Sequence, residues 1–365
     1  MAIAIHCGDC RDVLGALPSG SVHCCITSPP YFGLRDYGVA GQIGLEPTPD
    51  DFVAEMVAVF REVRRVLRDD GTLWLNLGDS YASTVKGSGG AGKSRLGPNR
   101  DLQNIGHQKF EPRRFDMQGL KPKDLIGIPW RVAFALQADG WYLRSDIIWA
   151  KPNTMPESVT DRPTSAHEHV FLFSKAPKYF YDHKAIMEPV AVLGWNDGTR
   201  VYGGKNKTGD DAQHGRITTA RTTGRVAGPR VSEDRKDLAG ATYDRHRSSI
   251  PGGQSLQADP NGLRNARNVW TIPTHPYPEA HFATMAPALA ERCILAGCPI
   301  GGTVLDPFGG AGTTGLAADR LGRSAILIEI NSKYAVMASA RIVSDSGLFS
   351  HVINHGCAPQ AEEAE

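Results

Sequence analysis

Three observations predict an α/β protein with a mostly parallel sheet covered by helices on both faces. Strand and helix signals alternate along the chain, a proline pair stops an apolar strand, and a glycine-rich turn leads from a short strand into a helix. Residues 22–27 form a short apolar run that ends at Ser28-Pro29-Pro30. Proline has no N–H to give to a ladder, so the chain must leave the sheet there. Residues 50–67 place Phe52, Met56, Val59, Phe60, Val63 and Leu67 at helical spacing. Asp50 and Asp51 suit the N-terminal end of that helix, and Gly71 follows its other end. Residues 72–77 (TLWLNL) read as the next strand, 128–138 as a helix, and 145–150 and 169–173 (HVFLF) as strands. Then come a helix over 287–296, a strand over 303–306 (TVLD), a helix over 313–322, a strand over 324–330 and a helix over 332–342. There is no internal repeat.

Composition narrows the class. Of 365 residues, 41% are apolar and 22% charged, which is ordinary globular balance with ample material for a core. The net charge of +1 excludes a uniformly basic nucleic-acid protein. No apolar run reaches the length of a membrane span, and residues 1–10 lack a secretory signal pattern. Seven cysteines are an odd, modest count for this length, which argues against a secreted disulfide scaffold, so a reduced, cytoplasmic protein is expected. The charge is uneven, however. Residues 84–123 hold nine basic against three acidic residues, and residues 200–268 hold thirteen against seven. Both stretches are rich in Gly, Ser, Thr and Asn. They read either as solvated insertions or as two arms that meet a polyanion.

Two loops carry chemistry. In the first, Val304-Leu305-Asp306-Pro307-Phe308-Gly309-Gly310-Ala311-Gly312-Thr313-Thr314-Gly315, three glycines satisfy G-x-G-x-x-G after a strand, and Glu329 closes the next strand 19 residues after Gly310. That is formally a dinucleotide fingerprint. The intervening Asp306-Pro307 and the shortness of the chain beyond Glu329 argue instead for a single nucleoside-like ligand. Its ribose diol would suit Glu329, and its charged tail the glycine loop. In the second, Ser28-Pro29-Pro30-Tyr31 leaves the end of an apolar strand, where open α/β sheets bind ligands. Two prolines stiffen that loop. It can hold the Ser28 hydroxyl and the Pro29 carbonyl as fixed acceptors, and Tyr31 as a flat ring. Fixed acceptors beside an aromatic face suit a planar base with an exocyclic amine.

The pairing of TSPPY near the N-terminus with DPFGGAGTT near the C-terminus resembles the S-adenosylmethionine-dependent amino DNA methyltransferases. These modify N4 of cytosine or N6 of adenine. Placing the catalytic loop before the cofactor loop resembles the permuted beta group of that family. The resemblance covers residues 3–83, 124–185 and 269–345. It implies a Rossmann-like class I methyltransferase fold, circularly permuted, with an irregular inserted target-recognition region. The catalytic and cofactor-binding domain would span 1–185 and 269–350, with a basic insertion at 84–123. Target recognition would occupy 186–268, and 351–365 would form a C-terminal tail. The resemblance makes S-adenosylmethionine the cofactor and double-stranded DNA the partner. Homodimers and a cognate restriction endonuclease accompany some members, while others act alone.

The resemblance also implies roles. Ser28, Pro29, Pro30 and Tyr31 would form the catalytic loop. Asp306, Phe308, Gly310 and Gly312 would line the methionine part of the cofactor, with Gly309, Thr313 and Thr314 beside them. Glu329 would hold the ribose hydroxyls, and Asp9, in His6-Cys7-Gly8-Asp9, would meet the adenine amine. Phe282, Ala283 and Thr284 would border the cofactor tail. The implied reaction passes the sulfonium methyl to the amine of a flipped-out base, with no metal required. Ser at position 28 favours cytosine; adenine is the alternative.

Other readings stay in view. A carbon-5 cytosine enzyme needs a cysteine nucleophile, and Cys24 and Cys25 sit inside an apolar strand. Cys7, Cys10 and His6 lack a second ligand pair for zinc, and His167, Glu168 and His169 read as structural. A methyltransferase acting on RNA or protein would share the glycine loop. A non-catalytic DNA-binding protein with a methylase fold would not need the serine loop intact.

Overall fold

The computed structural model describes residues 1–34, 36–82, 116–189, 263–275, 277, 284–346 and 351–356. Most of both basic stretches, together with Phe282 and Ala283, lies outside the described residues. The elements in order are β1 (Ala2–Cys7), α1 (Cys10–Ala16), β2 (Val22–Thr27), α2 (Pro49–Val66), β3 (Leu67–Leu77), α3 (Ile128–Ala138), β4 (Tyr142–Ala150), β5 (His167–Ser174), β6 (Glu188–Pro189), β7 (Leu263–Arg264), β8 (Val269–Thr271), α4 (Pro287–Gly297), β9 (Thr303–Asp306), α5 (Thr313–Arg320), β10 (Ser324–Glu329), α6 (Ser332–Asp345) and β11 (His351–His355).

Nine strands form one sheet in the order β11-β1-β10-β9-β2-β3-β5-β4-β8. Every neighbouring pair is parallel except those of β5, which runs antiparallel to both β3 and β4. The mostly parallel sheet expected from the sequence is therefore the one that forms. Its strands alternate faces, as a pleated backbone requires. Cys25, Leu73 and Leu75 pack with Phe52, Met56 and Phe60 of α2 and Val132 and Leu136 of α3. Cys24, Ile26 and Trp74 pack on the opposite face with Leu289 and Ile294 of α4, Leu316 of α5 and Ile342 of α6. Cys24 and Cys25 are fully buried, and burial pushes both thiols well up.

The long amphipathic helix α2 begins at Thr48, whose hydroxyl accepts the Asp51 N–H at 3.0 Å. It ends one residue earlier than the periodicity suggests. Leu67 is already extended, at φ −67° and ψ 141°, and β3 starts there rather than at Thr72. Gly71 thus stands inside a bent strand and not behind the helix. A Cβ at Gly71 would come within 3.0 Å of the Arg68 carbonyl oxygen and 3.1 Å of Leu67 Cβ, tighter than most Cβ contacts, so glycine spares its neighbours a shift there.

Four elements of the main sheet and its helices go beyond the sequence reading: β1, α1, β8 and β11. β1 carries the fully buried Ile3 and Ile5 and pairs on one side with β10 and on the other with β11. Residues 351–355, assigned to a tail from the sequence, are therefore a strand of the sheet. The chain divides into two compact units. One comprises Met1–Met187 and Asn265–Glu365, the other Glu188–Arg264. In the second unit, β6 and β7 pair antiparallel and Arg264 Nε meets Glu188 Oε1 at 3.0 Å. The second unit, Glu188–Arg264, falls within the 186–268 expected for target recognition; residues 186–187 and 265–268 belong to the first unit.

Candidate active site

β2 and β9 are adjacent and parallel, so their carboxyl ends open on the same edge of the sheet. The order turns there from β9 to β2, the place where open α/β sheets bind ligands. Ser28-Pro29-Pro30-Tyr31 leaves β2 and the glycine loop leaves β9. One carboxylate joins them. Asp306, only 3% exposed, accepts from Thr27 Oγ1 at 2.7 Å, from Thr314 Oγ1 at 2.6 Å and from the Phe308 N–H at 3.0 Å. Burial pushes the Asp306 carboxyl up, while these three donors pull it back. Asp306 and Thr314 therefore face into the protein and hold the loop in place.

The glycines of this loop serve different ends. At Gly312, the N-cap of α5 with φ +76°, a Cβ would lie 2.8 Å from Ala338 Cβ; at Gly315 it would lie 2.7 Å from Leu327 Cδ1. Both are close-packing positions. Gly309 is buried against β10, with its N–H donated to the Ile328 carbonyl at 2.8 Å. Gly310 differs: φ is +49°, and the nearest atom to a Cβ there would be Phe308 O at 3.9 Å. It leaves backbone open to a ligand. Thr313 is buried, its hydroxyl accepting from Arg341 Nη1 at 3.0 Å.

Glu329 stands at the end of β10, beside Gly310. Its Oε2 accepts the Gly310 N–H and its Oε1 the Asn331 N–H, each at 2.8 Å. Burial pushes its carboxyl up to about 6 despite those donors. The Gly8 N–H, at the end of β1, donates to the Glu329 carbonyl at 2.9 Å, which brings Asp9 to the same edge. Asp9 caps α1, accepting the Arg11 N–H at 2.9 Å, and pairs with the Arg11 guanidinium. That partner holds the Asp9 carboxyl below its usual range. Thr284 is half-buried just before α4.

Around Ser28 the structure assembles a polar corner that the sequence reading missed. The Asn76 Nδ2, from β3, lies 2.7 Å from Tyr31 Oη, 2.8 Å from Glu168 Oε2 and 3.2 Å from Ser28 Oγ. Tyr31 Oη donates to Glu168 Oε2 at 2.7 Å, and Ser28 Oγ lies 3.5 Å from Tyr31 Oη. Lys151, at the end of β4, pairs with Glu168 Oε1, and its ammonium lies 4.3 Å from the centre of the Trp149 ring. Asn76 is 3% exposed, and its Oδ1 is buried without a partner among the described residues. Leaving such an oxygen unpaired costs about 1–3 kcal/mol. The Tyr31 ring rests on Gly78, where a Cβ would come within 2.5 Å of the ring edge, so only glycine leaves the ring its place.

The run His167-Glu168-His169 is thus split by the alternation of β5. His169 pairs with Asp146 at 2.9 Å and stacks on Phe171 with ring centres 5.5 Å apart, a structural role. Glu168 turns to the Ser28 corner. Among the described residues, no three His, Cys, Asp or Glu side chains group as metal ligands. Cys10 is buried, with its thiol pushed up to about 12. One signal in the sequence pointed this way: a lone Asn within the apolar run TLWLNL, since a buried amide demands polar company.

Residues 22–340 match the model of the N6/N4 methyltransferase family, described as DNA methylase. Type II methyltransferase M.SmaI of Serratia marcescens is 43% identical over 92% of this chain and 89% of its own. Type II methyltransferase M.XycI of Xanthomonas campestris pv. cyanopsidis is 42% identical over 92% of this chain and 86% of its own. Among solved structures, the cytosine-N4-specific PvuII DNA methyltransferase superposes with a TM-score of 0.54 at 16% identity, over 98% of this chain and 97% of that one. A Thermus thermophilus protein described as a putative DNA modification methylase, complexed with S-adenosyl-L-methionine, has a TM-score of 0.51 at 21% identity over 98% and 99%. These two structural likenesses speak for the fold.

Proposed function

The chain belongs to the N6/N4 DNA methylase family, and from that premise we propose that it methylates the exocyclic amine of a flipped base in duplex DNA, using S-adenosylmethionine and favouring N4 of cytosine. One observation carries the reading most directly. The serine loop and the glycine loop meet on one sheet edge and are tied together through Thr27 and Asp306. N6 of adenine remains the alternative, because the same corner can hold either amine.

The site fits the cofactor. Gly310 offers open backbone, Phe308 is half-exposed beside it, and the Glu329 carboxylate retains lone pairs beyond the two used by backbone N–H groups. On this reading Gly310 and Phe308 border the methionine part, Glu329 takes the ribose hydroxyls, and Asp9 with Thr284 completes the edge. When bound, the cofactor supplies a methyl group on a sulfonium, which is already a good leaving group. Ser28 Oγ and the Pro29 carbonyl accept the amine N–H bonds and turn its lone pair outward. The Tyr31 ring stacks on the base, worth about 1–3 kcal/mol against the few kcal/mol that flipping costs. The basic stretches, mostly outside the described residues, supply phosphate contacts and target recognition. A cytoplasmic setting belongs to the same proposal, in which the protein either serves a cognate restriction endonuclease or acts without one, as a monomer or a homodimer. No described helix is long and apolar enough to cross a membrane.

Incubation with S-adenosylmethionine and unmethylated duplex DNA, followed by digestion and mass spectrometry of the nucleosides, tests the reading. N4-methylcytosine is the expected product. N6-methyladenine would reverse the choice of base, and an unmodified duplex would overturn the reaction.

Glu329 adds a pH prediction. Its carboxyl sits at about 6 through burial, and ribose hydroxyls donate to the ionised form. Cofactor affinity is therefore expected to be level above about pH 7 and to weaken below about pH 6, approaching tenfold per unit. Calorimetric titrations from pH 5 to 8 read this directly. In Glu329→Gln the binding should be weaker throughout and flat with pH; an equally steep fall in that variant would remove Glu329 from the role.

A further inference from the structure

We infer that Glu168 is a positioning residue for methyl transfer: it fixes the Tyr31 ring and, through Asn76, the Ser28 hydroxyl, and Lys151 pins its carboxylate there. The inference rests on the amino-methyltransferase reading and extends it to a residue outside the serine loop. The carboxylate is used asymmetrically. Oε1 faces Lys151, while Oε2 takes the Tyr31 hydroxyl at 2.7 Å and the Asn76 amide at 2.8 Å. Both side chains of the ion pair are largely shielded, at 15% and 17% exposure. Such a pair is a dipole with its negative end towards Ser28, on the side where positive charge grows on an attacking amine.

The orientation of Asn76 supports this. Its amide is set so that nitrogen faces Glu168, Tyr31 and Ser28 while its oxygen stays buried and unpaired. A purely structural amide in an apolar strand would be placed to satisfy both ends. Here one end is left unsatisfied while the two N–H bonds of the other are shared among the carboxylate, the ring hydroxyl and the serine. Tyr31 is then held from two directions, by Gly78 beneath its ring and by Glu168 at its hydroxyl. The reactive corner is preorganised before any base arrives.

Single-turnover methyl transfer on duplex DNA tests the inference, with DNA affinity, cofactor affinity and the fluorescence of 2-aminopurine at the target position measured alongside. Glu168→Gln keeps the shape and removes the charge. It is expected to slow the transfer step by about tenfold or more, the effect of losing a charge-assisted hydrogen bond. Both affinities and the flipping signal should stay within about twofold. Tyr31→Phe should slow transfer similarly, and combined with Glu168→Gln it should add little, because one removes the donor and the other the charge of the same hydrogen bond. Should Lys151, left without its partner, unfold the single variant, Glu168→Gln with Lys151→Met restores charge balance and should still be slow. Wild-type transfer rates in Glu168→Gln or in that charge-balanced pair, or effects of Tyr31→Phe and Glu168→Gln that simply multiply, would overturn the inference. Absence of any methylated base from the wild-type protein would instead fell the underlying reading.

Discussion

Ser28→Ala is expected to lower methyl transfer by about 10²–10³-fold, the scale seen when one preorganised hydrogen-bonding group is taken from a reacting centre. The loss should fall on the chemical step. Ser28 is half-buried beside the Asn76 amide, and it lies on the β2 loop while the cofactor edge is formed by β9 and β10. Cofactor titration by calorimetry should therefore give an affinity within about twofold of wild type, a margin set by the usual independence of sites that share no partner. Folding should change little, because alanine leaves the Asn76 amide its other two acceptors, Tyr31 Oη and Glu168 Oε2. Tyr31→Ala should combine a slower step with weaker retention of the flipped base, since it removes the stacking ring as well as the hydroxyl. Turnover at the wild-type rate in Ser28→Ala would remove the serine loop from catalysis.

The sequence carried the edge that binds ligands further than it carried the corner that reacts. Ser28-Pro29-Pro30-Tyr31 and the glycine run are local: proline and glycine fix backbone by themselves, so their turns are readable from a few residues. The middle of the sheet was readable for a similar reason, because β2, β9 and β10 are short apolar runs with turn residues at their ends. β1 and β11 were not. They meet as neighbours from opposite ends of the chain. β11 is mostly exposed and shows no strong apolar signal, while β1 has the alternating Ile3 and Ile5 but only their pairing with β10 and β11 makes them a strand of this sheet. Leu67–Gly71 misled for a physical reason too. A strand that starts with Leu-Arg-Asp-Asp-Gly looks like a helix terminus until its pairing with β2 is known. Asn76, Lys151 and Glu168 come from three different parts of the sheet, and no spacing rule joins them. Only the antiparallel β5, laid between β3 and β4, brings Glu168 to Ser28.

Asp306→Ala should be the most damaging single change to the folded state, because it strikes both loops at once. The substitution leaves the Thr27 and Thr314 hydroxyls and the Phe308 N–H without their shared acceptor in a site that is 3% exposed. Buried donors stranded in this way cost about 1–3 kcal/mol each. Part of that is recovered, since hydroxyls can turn, Thr314 Oγ1 lies 3.5 Å from the Ile26 carbonyl, and a buried carboxylate is itself unfavourable. The net loss is expected near ~3 kcal/mol, read as a lower urea midpoint with unchanged slope. Asp306→Asn should be much milder. Its oxygen can accept from Thr27 and Phe308, and its Nδ2 can donate to Thr314 Oγ1, so a neutral group of the same shape leaves every partner satisfied. If Asp306 only contacted the cofactor, the two variants would have equal stability without ligand and differ only in binding. If it is the clamp between the loops, alanine should weaken the apo protein, blunt cofactor binding through the glycine loop and slow transfer through the displaced Ser28, all from one buried side chain.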